Sequence, residues 1–133
     1  MGLLTAALFR DLTEAFSRGT WLLVPKGSTP PRSQMAPVQV VQTAARTIDL
    51  KNDPVLGIVT LPVHGVAARV TGPDRTVIDL WRYPRRIPVE FAMEALRRRA
   101  RADTPRVPEF ARLARRLGAW KSLEPVVQGL MLR

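Results

Sequence analysis

Apolar side chains recur at two different spacings along the chain, and the change falls near residue 72. Leu4, Leu8, Leu12 and Phe16 stand at every fourth position, which predicts a short helix over 3–16, ended by Arg18-Gly19. Thr20-Trp21-Leu22-Leu23-Val24 is a compact run of β-formers stopped by Pro25. Residues 25–37 hold Pro25, Gly27, Pro30, Pro31 and Pro37, a composition that fits a loop and neither a helix nor a central strand. Val38–Thr43 reads as a second strand and Thr47–Leu50 as a third, before a turn at Asn52-Asp53-Pro54. Leu56–Val63 and Val66–Thr71, separated by His64-Gly65, read as a β-hairpin with one wet face.

From residue 72 the spacing is helical. Gly72-Pro73-Asp74 starts a helix, with Pro at the first position and an acid beside the positive end of the dipole. Its apolar face is Val77, Leu80 and Trp81, and it ends at Tyr83-Pro84. A second helix runs from about Pro88 on Val89, Ala92, Met93 and Leu96. A third runs from Pro108 on Phe110, Leu113, Ala114 and Leu117 and closes at Gly118, and a fourth carries Trp120, Leu123, Val127 and Leu130 on one stripe. Strands followed by helices predict an α+β fold over 1–133, one domain with a small, mostly antiparallel sheet packed with a bundle of about four helices.

Composition narrows the function classes. At 133 residues and 46% apolar content the chain can bury a core unaided, and with no cysteine it has no disulfide or thiolate metal site. No apolar run has the length of a membrane span. The apolar stretch Met1–Phe9 lacks a basic leader, and Ala6 breaks the myristoylation pattern, so a cytoplasmic protein without membrane attachment is expected. The net charge of +10 divides as +3 in residues 1–70 and +7 in residues 71–133, with Arg supplying 18 of the 21 basic side chains. A field of this size favours polyanions such as nucleic acid or an acidic partner surface. Arginine-rich helix faces are equally at home simply solvated, and composition does not choose between the two.

Catalytic chemistry is not spelled out. A lone His64 beside Gly65 has no second His or Cys with which to hold zinc. Asp74 and Asp79 are five apart on the proposed helix and point in different directions. Pro25-Lys26-Gly27-Ser28-Thr29 has the letters of a phosphate loop in the wrong order, with Pro30-Pro31 where a helix must start. None of Ser17, Ser28, Ser33 and Ser122 lies in a nucleophile-elbow pattern. No enzyme and no cofactor is therefore expected. The candidate contact surface is basic: Arg97, Arg98, Arg99 and Arg101 at the end of the second C-terminal helix, where they complement its dipole, and Arg112, Arg115 and Arg116 on the polar side of the third. If those helices pack as a hairpin, the two groups merge into one patch able to meet DNA, RNA or an acidic protein.

The segment Val70-Thr71-Gly72-Pro73-Asp74-Arg75-Thr76-Val77-Ile78-Asp79-Leu80 resembles the stretch that follows a short hairpin in AbiEi-type antitoxins of abortive-infection, type IV toxin–antitoxin systems. Asp11-Leu12-Thr13, Trp21–Gly27, Ile87–Arg99 and Phe110–Leu130 are similar to further pieces of that family, in the same order. Arg75, Thr76 and Asp79 are the most specific part of the likeness. Proteins that join a similar segment to a Vsr-like endonuclease share it, but the chain ends too early for such a nuclease, and Trp120–Leu130 suits the antitoxin better.

The resemblance implies an effector domain that neutralises a nucleotidyltransferase-type toxin, in systems where the two proteins need not form a stable complex. Family members usually begin with a winged-helix domain that binds operator DNA, and this sequence starts where that domain would end. A truncated chain, a fragment or an antitoxin without its reader is expected, and autoregulation of transcription is the family property least transferable to it. Physically, Arg75 and Asp79 form an i,i+4 pair, and Thr76 can bond back to the carbonyl four residues earlier, so the three are expected to organise the fold rather than touch a partner. The alternative function is a basic nucleic-acid-binding accessory or regulatory domain without catalysis.

Overall fold

The structure, a computed structural model, describes residues 2–3, 5–6, 20–27, 38–63, 65–102 and 107–131. Strands β1 (Thr20–Pro25), β2 (Val38–Thr43), β3 (Ile58–Val63) and β4 (Val66–Thr71) precede helices α1 (Pro73–Arg82), α2 (Val89–Ala102), α3 (Val107–Arg116) and α4 (Trp120–Met131). The α+β order read from the sequence is thus the order of the fold. Of the helix expected over 3–16, only Leu3, Thr5 and Ala6 are among the described residues, and all three are helical; His64 lies outside them. Gly2 N–H donates to the Trp21 carbonyl (3.1 Å) and Thr5 Oγ1 accepts from Trp21 N–H (2.7 Å), which docks this segment on β1.

The strands form two separate pairs among the described residues. β3 and β4 make the expected hairpin, in register from Ile58↔Thr71 to Val63↔Val66. β1 and β2 run parallel, from Thr20↔Val38 to Pro25↔Thr43. The expectation of mostly antiparallel pairing therefore holds for one pair only. The reason lies in the connection 26–37, which is long enough for the chain to return and lay β2 alongside β1 in the same direction.

Thr47–Leu50 is not a strand. Two short 3-10 turns, Ala45–Thr47 and Leu50–Asn52, take up its two ends. Thr47 Oγ1 donates to the Ala44 carbonyl (2.7 Å) and Asp49 Oδ1 accepts from Lys51 N–H (3.2 Å), so local side-chain bonds to the backbone outweigh the β preference of Thr and Ile. Leu56 likewise belongs to the turn before β3, where its N–H bonds to the carbonyls of Asn52 and Asp53.

α1 begins as predicted: Gly72 is extended, Pro73 takes the first helical position and no side chain caps the end. It stops at Tyr83, which precedes Pro84 and is held out of the helical region. Its burial is the surprise. Arg75, Thr76, Val77, Ile78, Asp79 and Leu80 are all buried, so α1 is enclosed on its polar as well as its apolar side. Both α2 and α3 pack on α1, and α4 packs on α3; the hairpin of the second and third helices that would have merged all the arginines is replaced by two helices sharing one central support.

On α2 the buried side chains are Ala92, Ala95 and Leu96, whereas Val89 is 57% exposed, so the inward stripe starts a turn later than the spacing predicted. α3 starts at Val107, one residue before Pro108, and closes with a glycine cap: Gly118 has φ +74, its N–H meets the Arg115 carbonyl (3.1 Å), and Ala119 N–H reaches the Ala114 carbonyl (2.8 Å). A Cβ at Gly118 meets nothing within 4 Å, so only the backbone term resists substitution. Gly118→Ala is expected to cost about 1 kcal/mol, read as a lowered midpoint in thermal unfolding.

Candidate functional site

Enclosing the polar side of α1 takes its groups out of water, and they find partners inside the protein except for Arg75 Nη2, which is buried with no hydrogen-bond partner among the described residues. Arg75 and Asp79 are one helical turn apart and both fully buried; Arg75 Nε donates to Asp79 Oδ2 (2.9 Å). Arg75 Nη1 reaches across to two backbone carbonyls, Thr47 (2.6 Å) and Leu56 (2.9 Å), which lie on either side of the turn leading into β3. Arg82 Nη1 donates to the second oxygen of Asp79 (2.7 Å), and its Nη2 to Thr43 Oγ1 at the end of β2 (3.0 Å). Thr43 Oγ1 in turn shares a hydrogen with Thr47 Oγ1 (3.0 Å). One carboxylate and two guanidiniums thereby tie α1 to β2 and to the 44–57 segment.

Thr76 completes the arrangement at the other end of the helix. Its Oγ1 donates to the Thr71 carbonyl (3.2 Å) and pairs with Thr71 Oγ1 (2.7 Å), while the Gly72 carbonyl accepts its N–H (2.8 Å). The back-bond expected from Thr76 to the carbonyl four residues earlier lands instead on the last residue of β4, five positions back. Asp74 points elsewhere, to Arg99 Nε on α2 (2.7 Å), so the two aspartates of α1 do diverge.

The expected arginine patch is divided. Arg99, Arg112 and Arg116 line one groove of about 520 Å³ together with the start of α1, the turn 54–57 and the first residues of β3. Arg98 is paired with Glu94 on its own helix (2.8 Å), and Arg115 stacks over the Trp120 ring at 5.5 Å. Arg97 and Arg101 are exposed and do not line the groove. The groove is built by a tight approach: Gly72 N–H donates to the Gly57 carbonyl (2.7 Å), and Gly57, at φ +72, lies between the Arg75 and Leu113 side chains.

No protein-family model matches the chain, and no curated protein is found to be similar to it. The site must be read from its own geometry. No helix among the described residues is long and apolar enough to cross a membrane. Among the same residues no cluster of three His, Asp or Glu side chains has the arrangement of a metal site.

Several residues of the network have no signal in the sequence. Thr43 and Thr47 meet α1 only through tertiary contacts, as does the bond from Arg82 to Thr43, and Arg69, which clamps Asp53 with two nitrogens and the Ile48 carbonyl with one (3.0 Å), reads as an ordinary strand residue. Thr71 is legible in principle, as a hydroxyl immediately before a Gly-Pro helix start. A second recess of about 400 Å³ lies where the end of α1 meets the α3–α4 turn, lined by Trp81, Tyr83, Leu117 and Ser122. The Trp81 Nε1 and Tyr83 hydroxyl are buried there without a hydrogen-bond partner among the described residues.

Proposed function

We propose that the chain is an antitoxin effector domain of the AbiEi type, neutralising a nucleotidyltransferase-type toxin in the cytoplasm and doing so without catalysis of its own. The observation that carries this reading is the segment Val70–Leu80. The stretch most similar to the antitoxin family is also the one on which the layers of the fold rest, with Arg75, Thr76 and Asp79 all buried. Likeness there is likeness in what organises the architecture, which a chance match among exposed residues would not be.

Four of the described carboxylates, Asp53, Asp74, Asp79 and Glu94, are each tied to an arginine, a use in holding the fold that supports a function by contact. Co-expression with the nucleotidyltransferase toxin from the adjacent reading frame tests the proposal. Growth is expected to be restored, and persistent arrest with the chain demonstrably folded and abundant would rule the reading out.

A second reading, a nucleic-acid-binding accessory domain, is favoured by the exposure of Arg97, Arg101, Arg112, Arg115 and Arg116. It requires DNA or RNA affinity that falls steeply with salt, as counterions are released from each phosphate contacted. Absence of binding at about 50 mM salt eliminates it.

A further inference from the structure

The recess at the end of α1 contains two hydrogen-bond donors that the fold leaves unused. Trp81 lies in the last turn of the helix, and Tyr83 follows it as the C-cap. Both residues are partly buried against the core, yet Trp81 Nε1 and the Tyr83 hydroxyl are fully buried with no hydrogen-bond partner among the described residues. Buried indole and phenol groups ordinarily find a partner, and one left without carries the full penalty of its lost hydration. Here that penalty falls twice, at two side chains lining one recess of about 400 Å³. The remaining orphaned side-chain atom among the described residues, Arg75 Nη2, belongs to a guanidinium already bonded three times.

The recess offers donors with no free charge. The indole N–H can only donate, and the hydroxyls of Tyr83 and Ser122 can donate as well. Arg82 is the charged residue lining it among the described residues, and its guanidinium is already held by Asp79 (2.7 Å) and Thr43 (3.0 Å). That guanidinium lies 5.2 Å from the centroid of the Tyr83 ring and steadies it. Pro84 and Leu117 add apolar surface. A neutral aromatic recess of this kind does not suit a phosphate. It suits a ligand that combines carbonyl acceptors with apolar rings.

A proline-rich segment has that character. Its prolines carry no N–H, its polyproline II backbone makes no internal hydrogen bonds, and its carbonyls are therefore free to accept. Such segments dock in aromatic-lined grooves and lose little conformational freedom in doing so. An ordinary peptide brings N–H groups as well, which the indole cannot meet. We propose that this recess docks a proline-rich segment of a partner protein, two of whose backbone carbonyls accept from Trp81 Nε1 and the Tyr83 hydroxyl. Neither atom meets solvent, so seating the segment includes a small turn of each ring toward it. The assignment does not rest on the antitoxin reading, and rescue from a toxin does not test it.

Titration of the whole chain with capped decaproline tests the proposal, read from the indole N–H resonances of Trp21, Trp81 and Trp120. The Trp81 signal, identified by its loss in Trp81→Phe, is expected to move downfield as it gains an acceptor, with half-saturation below about 1 mM peptide. The other two should move far less, and a Gly-Ser peptide of equal length should leave all three in place. Trp81→Phe and Tyr83→Phe each remove one donor and should each weaken calorimetric affinity about fivefold or more. Tyr83→Phe should not lower the thermal midpoint, because its hydroxyl has no partner to lose. Ser122→Tyr, at an exposed position, fills the recess and should abolish binding with the fold intact.

Four outcomes overturn the assignment. They are a Trp81 signal unmoved at about 1 mM decaproline, an equal response to the Gly-Ser peptide, binding that survives Ser122→Tyr, and a Trp81 signal that shifts with protein concentration alone. The last would give the recess to a second copy of the chain.

Discussion

Asp79→Ala is expected to lower the stability of the fold by about 3–5 kcal/mol, a substantial part of the roughly 5–15 kcal/mol typical of a domain. Among the described residues Asp79 is the carboxylate that pairs with the fully buried Arg75, and it also holds Arg82. Removing it strands a guanidinium where water cannot reach, and the cost is that of an uncompensated interior charge rather than of a lost surface pair. Arg82 suffers less, being partly exposed and still bonded to Thr43. Asp79→Asn keeps an oxygen for Arg75 and should fall between wild type and alanine.

Urea unfolding followed by circular dichroism measures all three. A loss of less than about 1 kcal/mol for Asp79→Ala would show that the pair does not carry the junction. Arg75→Met combined with Asp79→Leu should recover part of the loss, but not all of it. The carbonyls of Thr47 and Leu56 would then lack the donor that now satisfies them.

Gly57→Ala is expected to cost about 2–4 kcal/mol, from two separate sources. The backbone is at φ +72, a region an L side chain enters only with strain, and a Cβ placed there would lie 2.8 Å from Arg75 Cβ and 2.9 Å from Leu113 Cδ2. Arg75 Cβ is fixed by the helix and by the guanidinium bonds beyond it, so the turn would have to retreat. Its Gly57 carbonyl, which accepts from Gly72 N–H, would retreat with it. Gly65 supplies the comparison: it has φ +79, but a Cβ added there would meet nothing within 4 Å. Gly65→Ala should therefore show the backbone term alone, about 1 kcal/mol. Equal shifts in thermal midpoint for the two variants would remove the packing part of the argument.

The helices were legible because each carries its own punctuation. Pro73 at the start of α1 and Gly118 after α3 act within a turn of chain, and the structure places both ends accordingly. The hairpin was legible for the same reason. Strand direction was not, since whether β2 returns parallel or antiparallel to β1 depends on the path of a long connection and not on the strands themselves. Thr47–Leu50 misled because propensity weighs neither the local bonds of Thr47 and Asp49 to the backbone nor a guanidinium 28 residues away that takes the Thr47 carbonyl. Arg75 and Asp79 could be paired by spacing, but their depth could not, because a charged residue in a helix is ordinarily on a wet face. The arginine groups at 97–101 and 112–116 were visible as clusters; that only Arg99, Arg112 and Arg116 share a groove follows from both helices leaning on α1.

The reach of Arg75 bears on how the chain assembles. Its guanidinium bonds to carbonyls 19 and 28 residues earlier in the sequence. Until the 44–57 segment arrives, α1 can consolidate against α2 and α3 only by keeping a half-paired cation under apolar cover. Partial docking thus gains little free energy, and sheets and helices are obliged to order in a single concerted event instead of element by element.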